Sequence, residues 1–412
     1  MKVCAVIAEY NPIHSGHAYQ LSQARTLTGA DYIIVAMSGN FVQRGAPALL
    51  DKYARTQAAL SCGADLVLEL PACYATASAE YFAQGAVSLL DRLGVVDALC
   101  FGSESGDIHI LSQFADIFLE ESEAYRSLLQ QKLKLGYSYP IARSGTISEL
   151  YPQLSADMGV ITTPNNILGI EYIKALHKRC SKIQPITMRR YGSDYHDKRL
   201  GLFQSSATAL RQAIQSGRDI EELKSQMPES AYQVLSDYLA KEQAIFLDDF
   251  STILHYKLLS EQTKGYTGYL DITPDLSDKI RKYMYQFTTF SEFCDLLKSK
   301  DMTYTRISRC LLHILLNLRK DDIRYYMDNL GVTPYARLLG FKEEAKPLLT
   351  AIDRNTSIPL LTKMADADRL LNQGAYEMFQ KEKEISDIYS SVQAAKSGHM
   401  MYHEFTRPMI IL

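Results

Sequence analysis

KVCAVIAEYNPIHSGHAYQ, residues 2–20, is the stretch on which the fold turns. After Lys2 its first residues, up to Ala8, are all apolar and rich in valine and isoleucine. A strand buried on both faces reads this way, because neither face meets water. A turn follows, Asn11-Pro12-Ile13-His14-Ser15-Gly16-His17, and then a stretch of helical texture over 17–27.

The same texture recurs along the first half of the chain. Short apolar runs stand at YIIVAM (32–37), DLVLEL (65–70), DALCFG (97–102) and KIQPITM (182–188). Helical stretches lie between them, at 51–62, 79–93, 107–135 and 166–180. Alternation of this kind predicts an α/β fold, a Rossmann-like parallel sheet with crossover helices. Such sheets bind ligands beyond the carboxyl ends of their strands, the edge at which His14 and His17 stand. After about residue 215 the strand-like runs give out. Stretches 229–245, 249–260, 290–300 and 303–320 carry apolar residues at helical spacing. The division expected is a nucleotide-binding catalytic part, 1–215, and a mostly helical part, 216–412. The weakly patterned end, 395–412, closes in PMIIL, which reads as a docking strand.

The apolar fraction of 47% is that of a globular protein with a sizeable core, and the formal net charge of −3 names no partner. Seven cysteines with no Cys-x-x-Cys fit buried thiols in a reducing cytoplasm better than disulfides or a zinc ribbon. The apolar start is too short for a signal peptide, and no run approaches 18 apolar residues, so no membrane partner is expected. Charge is nonetheless uneven. Residues 279–320 hold nine Lys and Arg against three Asp and Glu, a net of +6, with Tyr283, Tyr285 and Tyr304 interleaved. Cations with aromatics suit a nucleic-acid surface, for which Arg281, Lys282, Arg306 and Arg309 are the candidates; a solvated helix face is the plainer reading.

With His17 in the first turn of a helix that begins near residue 15, His14 lies at the loop–helix junction and both rings can face one side. A helix N-terminus offers free N–H groups and a positive dipole end, a phosphate site. Two imidazoles there can donate hydrogen bonds to a phosphate as charge builds in a transition state. Gly16 leaves room for a flat base, and Pro12 stiffens the entry. This is equipment for nucleotidyl transfer, in which positioning and electrostatics do most of the work. Two other readings stand beside it: half of a metal site, which no nearby Cys, Asp or Glu completes at standard spacing, and ordinary surface histidines.

Asn11-Pro12-Ile13-His14-Ser15-Gly16-His17 resembles the HIGH-type signature of the nucleotidyltransferase superfamily. Ser205-Ser206-Ala207-Thr208-Ala209-Leu210-Arg211 resembles its second signature, with Ser205 and Leu210 where isoleucines are usual. Ser206 and Thr208 would cap a helix and bind phosphate oxygens, and Arg211 would reach the triphosphate; the plainer reading is an N-cap alone. More of the chain is similar to one family. Met37-Ser38-Gly39-Asn40-Phe41-Val42-Gln43-Arg44-Gly45, Lys52-Tyr53-Ala54-Arg55-Thr56, Phe101-Gly102-Ser103-Glu104, Pro164-Asn165-Asn166-Ile167-Leu168-Gly169 and Ser193-Asp194-Tyr195-His196-Asp197 resemble the bacterial tRNA(Met) cytidine acetate ligases. So do Tyr304-Thr305-Arg306 and Arg337-Leu338-Leu339-Gly340.

That resemblance implies a cytoplasmic ligase. ATP and acetate would give acetyl-adenylate and pyrophosphate, and the acetyl group would pass to N4 of the wobble cytidine, position 34, of elongator tRNA(Met). It implies an ATP site from Ile7, Ala8, Glu9, Tyr10, Asn11, Pro12, Ile13, His14, Ser15, Gly16, His17, Ala18, Tyr19 and Gln20, with Gly102, one of Asn165 and Asn166, and Arg190. Magnesium is expected to accompany ATP, with no metal-ligand set of the protein's own. Acetate and ATP are both anions, so cations must screen the attack; Arg44 and Lys52, beyond the second strand, are the candidates beside His14 and His17. Asp194, His196 and Asp197 suit a general base, a magnesium contact or a loop that fixes the second signature. Two rival functions remain: an adenylyltransferase that builds a cofactor from ATP and a small metabolite, and a non-catalytic RNA-binding protein with a vestigial nucleotide pocket.

Overall fold

The computed structural model describes residues 1–190, 206–300 and 302–412. Ser205, Asp301 and the Ser193–Asp197 motif lie outside the described residues.

The apolar runs form strands where the sequence puts them: β1 (Val3–Ala8), β2 (Tyr32–Ser38), β5 (Leu66–Leu70), β6 (Ala98–Ser103) and β7 (Gln184–Arg189). A small antiparallel hairpin, β3 (Phe41–Val42) with β4 (Ala46–Pro47), follows β2. The eight-stranded sheet has the order β10-β8-β5-β2-β1-β6-β7, with β8 (Ala336–Phe341), β9 (Leu360–Leu361) and β10 (Ile410–Ile411) from the second half and β9 paired to β8. From β5 to β7 every pairing is parallel. Side chains alternate across β1: Val3 and Ala5 enter one core, Cys4 and Val6 the other. Both faces are therefore dry, as the unbroken apolar run requires.

From β1 the chain runs outward to β2 and β5, then returns to lay β6 on the opposite side of β1. The crevice at that reversal, above the carboxyl ends of β1 and β6, is where a doubly wound sheet takes its ligand. Helix α1 (Ser15–Thr28) starts beside it. Helix α2 (Lys52–Ser61) is capped by Asp51, whose carboxylate accepts from the backbone N–H groups of Tyr53 and Ala54, both at 2.9 Å.

Two expectations need correction. The helical stretch 107–135 is two helices, Ile108–Glu120 and Glu123–Lys134, because Glu121 turns left-handed (φ 36°) and Ser122 caps the second at Tyr125 N (3.2 Å). Strands also do not give out after residue 215. β8 pairs antiparallel with β5 and covers its edge, and β10, the expected docking strand, lies parallel to β8. The run Arg337–Phe341 is too short and too evenly apolar for its period to separate strand from helix.

The seam between β5 and β8 carries a buried ion cluster. Glu69 of β5 accepts from Lys52 Nζ (2.8 Å) and Arg337 Nη1 (2.8 Å), and Glu404 from Arg337 Nη2 (2.7 Å) and Lys52 Nζ (2.5 Å). All four side chains are buried. The β3–β4 turn is held from the second half as well. Ser308 Oγ, on the helix Tyr304–Leu315, donates to Gly45 O at 2.7 Å. Gly45 has φ +75°, and the Arg309 backbone occupies the space a β-carbon would need. Among the described residues no helix is long and apolar enough to cross a membrane.

Candidate active site

A cavity of about 430 Å³ opens over the carboxyl ends of β1, β6 and β7. Ile7, Ala8, Glu9, Tyr10, Asn11, His14, Gly16, His17, Tyr19 and Gln20 line it from β1 and α1, with Gly102, Asn165 and Arg190 opposite and Ser206, Thr208 and Arg211 beside them. The two signatures, nearly 200 residues apart in sequence, thus meet in one place.

The histidine pair caps its own helix. His14 is the N-cap residue of α1, and its Nδ1 accepts from Gly16 N at 3.1 Å. His17 reaches back, its Nδ1 accepting from His14 N at 3.3 Å. This is a capping box built from imidazoles, with the rings 3.8 Å apart at a tilt of 32°. The arrangement fixes the tautomers. A backbone N–H only donates, so each Nδ1 bears a lone pair and each neutral ring carries its proton on Nε2. Burial, then the charges of Arg190 and Arg211, pull the His14 pKa down to about 4. Burial, then His14 and Arg190, hold His17 well below the ordinary value. Both rings are neutral Nε2–H donors at neutral pH. The space beside Gly16, expected to admit a flat base, is filled by the His14 ring, whose Cε1 would lie 2.9 Å from a β-carbon there.

Part of the cavity's lining is cationic. Arg44 lines it from the β3–β4 turn and Arg190 from just past β7. Arg211 donates to Asn11 O at 2.6 Å and to Thr208 Oγ1 at 3.1 Å, which ties the second signature to the first. Ser206 caps its helix, accepting from Ala209 N at 3.2 Å. Glu9 accepts from Gln43 N at 2.9 Å and holds the Arg44 turn against β1. Phe82, Phe101, Leu168, Tyr172 and Met188 add an apolar lining. A cavity whose lining combines arginines with apolar and aromatic side chains suits a nucleotide.

Several candidates fall elsewhere. Pro12, Ile13, Ser15 and Ala18 belong to the turn and helix but are not among the lining residues. Asn165 lines the cavity, while Asn166 is buried and braces the loop, its Oδ1 accepting from Ser105 N (3.1 Å) and its Nδ2 donating to Thr163 Oγ1 (2.6 Å). Lys52 is a correction. It is fully buried in the ion cluster, where Glu69, Glu404 and Ser386 Oγ (2.9 Å) take its three protons, so it does not reach the cavity. Of the nucleic-acid candidates, Arg281, Lys282 and Arg306 stand exposed, whereas Arg309 is half-buried behind Gly45.

Sequence reasoning missed Gln43, Arg189, Phe82, Leu168 and Tyr172 as lining residues and Arg55 as their support. The Arg55 guanidinium is buried and donates to four carbonyls: Glu9 O (2.7 Å), Ser38 O (2.9 Å), Leu50 O (3.0 Å) and Gly39 O. It locks the loops that leave β1 and β2 to one another.

The profile of the family described as HIGH Nucleotidyl Transferase matches residues 1–403. The tRNA(Met) cytidine acetate ligase of Acetivibrio thermocellus is 36% identical over 419 residues, spanning 100% of both chains. That of Thermoanaerobacter sp. (strain X514) is 38% identical over 414 residues, again with 100% of each covered. Among solved structures, Thermotoga maritima TmcAL in its apo form is similar along 100% of both chains, with 32% identity and a TM-score of 0.93. The same protein bound with alpha-thio ATP gives a TM-score of 0.91 at 32% identity, with 100% of both chains covered. The chain belongs to the HIGH nucleotidyl transferase family, among the tRNA(Met) cytidine acetate ligases.

Proposed function

We propose that this chain joins acetate to ATP and passes the acetyl group to N4 of cytidine 34 of elongator tRNA(Met), in the cytoplasm. In the first step a carboxylate oxygen of acetate attacks the α-phosphorus, the bond to the bridging oxygen breaks, and pyrophosphate leaves. In the second, N4 attacks the acetyl carbon, AMP departs and N4 loses a proton. The observation that carries the reading is the cavity itself: two neutral Nε2–H donors at a helix N-terminus, with Arg44, Arg190 and Arg211 and a set of apolar and aromatic side chains in one lining. The donors meet the charge that builds on the phosphate as the bond breaks. The arginines screen two anions that would otherwise repel, with Arg44 placed for acetate or the triphosphate. Magnesium would enter with the triphosphate; among the described residues no group of three or more His, Cys, Asp or Glu stands together to hold one.

Residues 216–412 supply the RNA grip in this reading, and 1–215 the chemistry. Arg281, Lys282 and Arg306 are exposed, and Tyr285 is 76% exposed, ready to stack on an unpaired base. Replacing the three cations with alanine should weaken tRNA binding and lower its salt slope by roughly one unit per lost phosphate contact. Titration at several salt concentrations, with ATP affinity measured separately and unchanged, checks this.

The function itself is tested with labelled acetate, ATP and bulk tRNA. Label in tRNA that depends on ATP, and is not replaced by transfer from acetyl-CoA alone, supports the reading. Pyrophosphate release that needs a metabolite rather than acetate would favour a cofactor-building adenylyltransferase. Neither activity would leave a binding protein.

A further inference from the structure

At the cavity wall formed by Asn165 a closed hydrogen-bond circuit decides which way one amide faces. Glu104, in the loop after β6, takes up the N-terminus of the helix Pro164–Lys178. Its Oε2 accepts from Asn166 N at 2.8 Å, and its Oε1 from Asn165 N at 3.2 Å and Asn165 Nδ2 at 2.7 Å. The next free backbone donor, Ile167 N, is satisfied by Thr163 O at 3.0 Å. This helix end is therefore already filled by a carboxylate and has no N–H group to offer a phosphate, unlike the end of α1.

A carboxylate that takes three N–H groups on its two oxygens can only accept. It meets the nitrogen of the Asn165 amide and would repel the oxygen. The amide is planar, so with Nδ2 turned to Glu104 its Oδ1 lies on the far edge. Asn165 itself lines the cavity, as do Phe101, Gly102 and Leu168. We infer that Glu104 is a positioning residue that locks Asn165 with its carbonyl oxygen as the acceptor offered to the base, and so selects a 6-aminopurine nucleotide over a 6-oxopurine one. This rests on the reading that the cavity holds ATP with its base against the apolar lining. The amine of adenine donates to Oδ1. The oxygen of hypoxanthine or guanine would meet Oδ1 lone pair to lone pair, which both loses a bond and leaves two acceptors facing one another.

The test compares ATP with inosine triphosphate in acetate-dependent pyrophosphate release. Wild type should favour ATP in kcat/KM by roughly a hundredfold or more. In Glu104→Gln the neighbour both donates and accepts, so the Asn165 amide is free to turn, and the ATP preference should fall at least tenfold, mostly through KM. Asn165→Ala deletes the acceptor while leaving Glu104 on the helix end, and should narrow the preference in the same way. Thermal melts identify which variants are folded, and a purely structural role would lower activity with both nucleotides alike. Folded variants that keep the wild-type ratio would overturn the inference while the ATP reading stands. A wild type with no ATP-dependent turnover would overturn that reading, and the inference with it.

Discussion

At His14 and His17 each ring has its two nitrogens in different service. Nδ1 holds the helix start together, and in the proposed reading Nε2–H meets the phosphate. Substituting alanine at either position should lower acetyl-adenylate formation by roughly 10²–10³, the usual effect of losing one transition-state donor; pyrophosphate release measures it. The same burial has a consequence for acid stability. Free histidine titrates near 6.5, and His14 in the folded chain near about 4. Between those values the unfolded chain binds the proton and the folded one does not. Stability is therefore fully present above about pH 6.5 and falls as pH drops toward 4, with His14 alone contributing on the order of 3 kcal/mol to the loss. Melting temperatures between pH 7.5 and 4.5 should show the fall, and His14→Gln should flatten it. The pair was legible from its place after β1, but its tautomers were not, because they depend on which backbone donors the turn aims at the rings. Lys52 was misread for a physical reason. A cation beyond β2 looks like an anion screen until its partners are known, and the signal for those partners was Glu69, an acid set between the leucines of LVLEL. A buried acid needs a buried cation.

At the level of elements, Arg44 depends on a contact that no local pattern announces. The turn between β3 and β4 is pinned by Ser308 and shaped by Gly45, which has neither a permitted alternative at φ +75° nor room for a methyl group against the Arg309 backbone. Gly45→Ala should destabilise the protein by ~2 kcal/mol or more, from strain and displacement together. In the folded fraction it should raise KM for acetate or ATP, because Arg44 moves with the turn. Denaturant melts and steady-state kinetics separate the two effects. The parallel strands were readable because their apolar runs alternate with helical stretches, even for β7, which is only partly buried. β8 was not: its six residues, which include Arg337-Leu338-Leu339-Gly340, stand among helical stretches with no alternation to mark them, and its partner, β5, lies about 270 residues earlier in the chain.

Across the whole molecule the helical second half and the nucleotide-binding first half share one sheet and one core. Phe41, Leu66 and Leu68 lie in the same apolar cluster as Phe250, Leu311 and Tyr389. Cutting the chain at residue 215 would remove β8 from the edge of β5 and take Arg337 and Glu404 away from Glu69 and Lys52. An uncovered apolar strand edge and a stranded buried ion pair both favour aggregation over folding. Residues 1–215 expressed alone should be insoluble or molten, and supplying 216–412 in trans should restore soluble protein; sedimentation and near-UV circular dichroism check both statements. The functional division proposed for the halves rests on composition and charge. The structural dependence was not, because it rests on pairings across more than a hundred residues of intervening chain.

The late position of β8 also sets an order of events during synthesis. At roughly 5–20 residues per second, a ribosome that has just finished β7 needs about 10–30 s more to deliver residues 336–341. For that interval the nascent sheet waits with β5 as an open edge and Glu69 without Arg337. Trigger-type chaperones that shield apolar edges therefore have a defined window on this chain. Codon choices that slow translation between β7 and β8 would lengthen that window and lower the soluble yield of an otherwise unchanged protein.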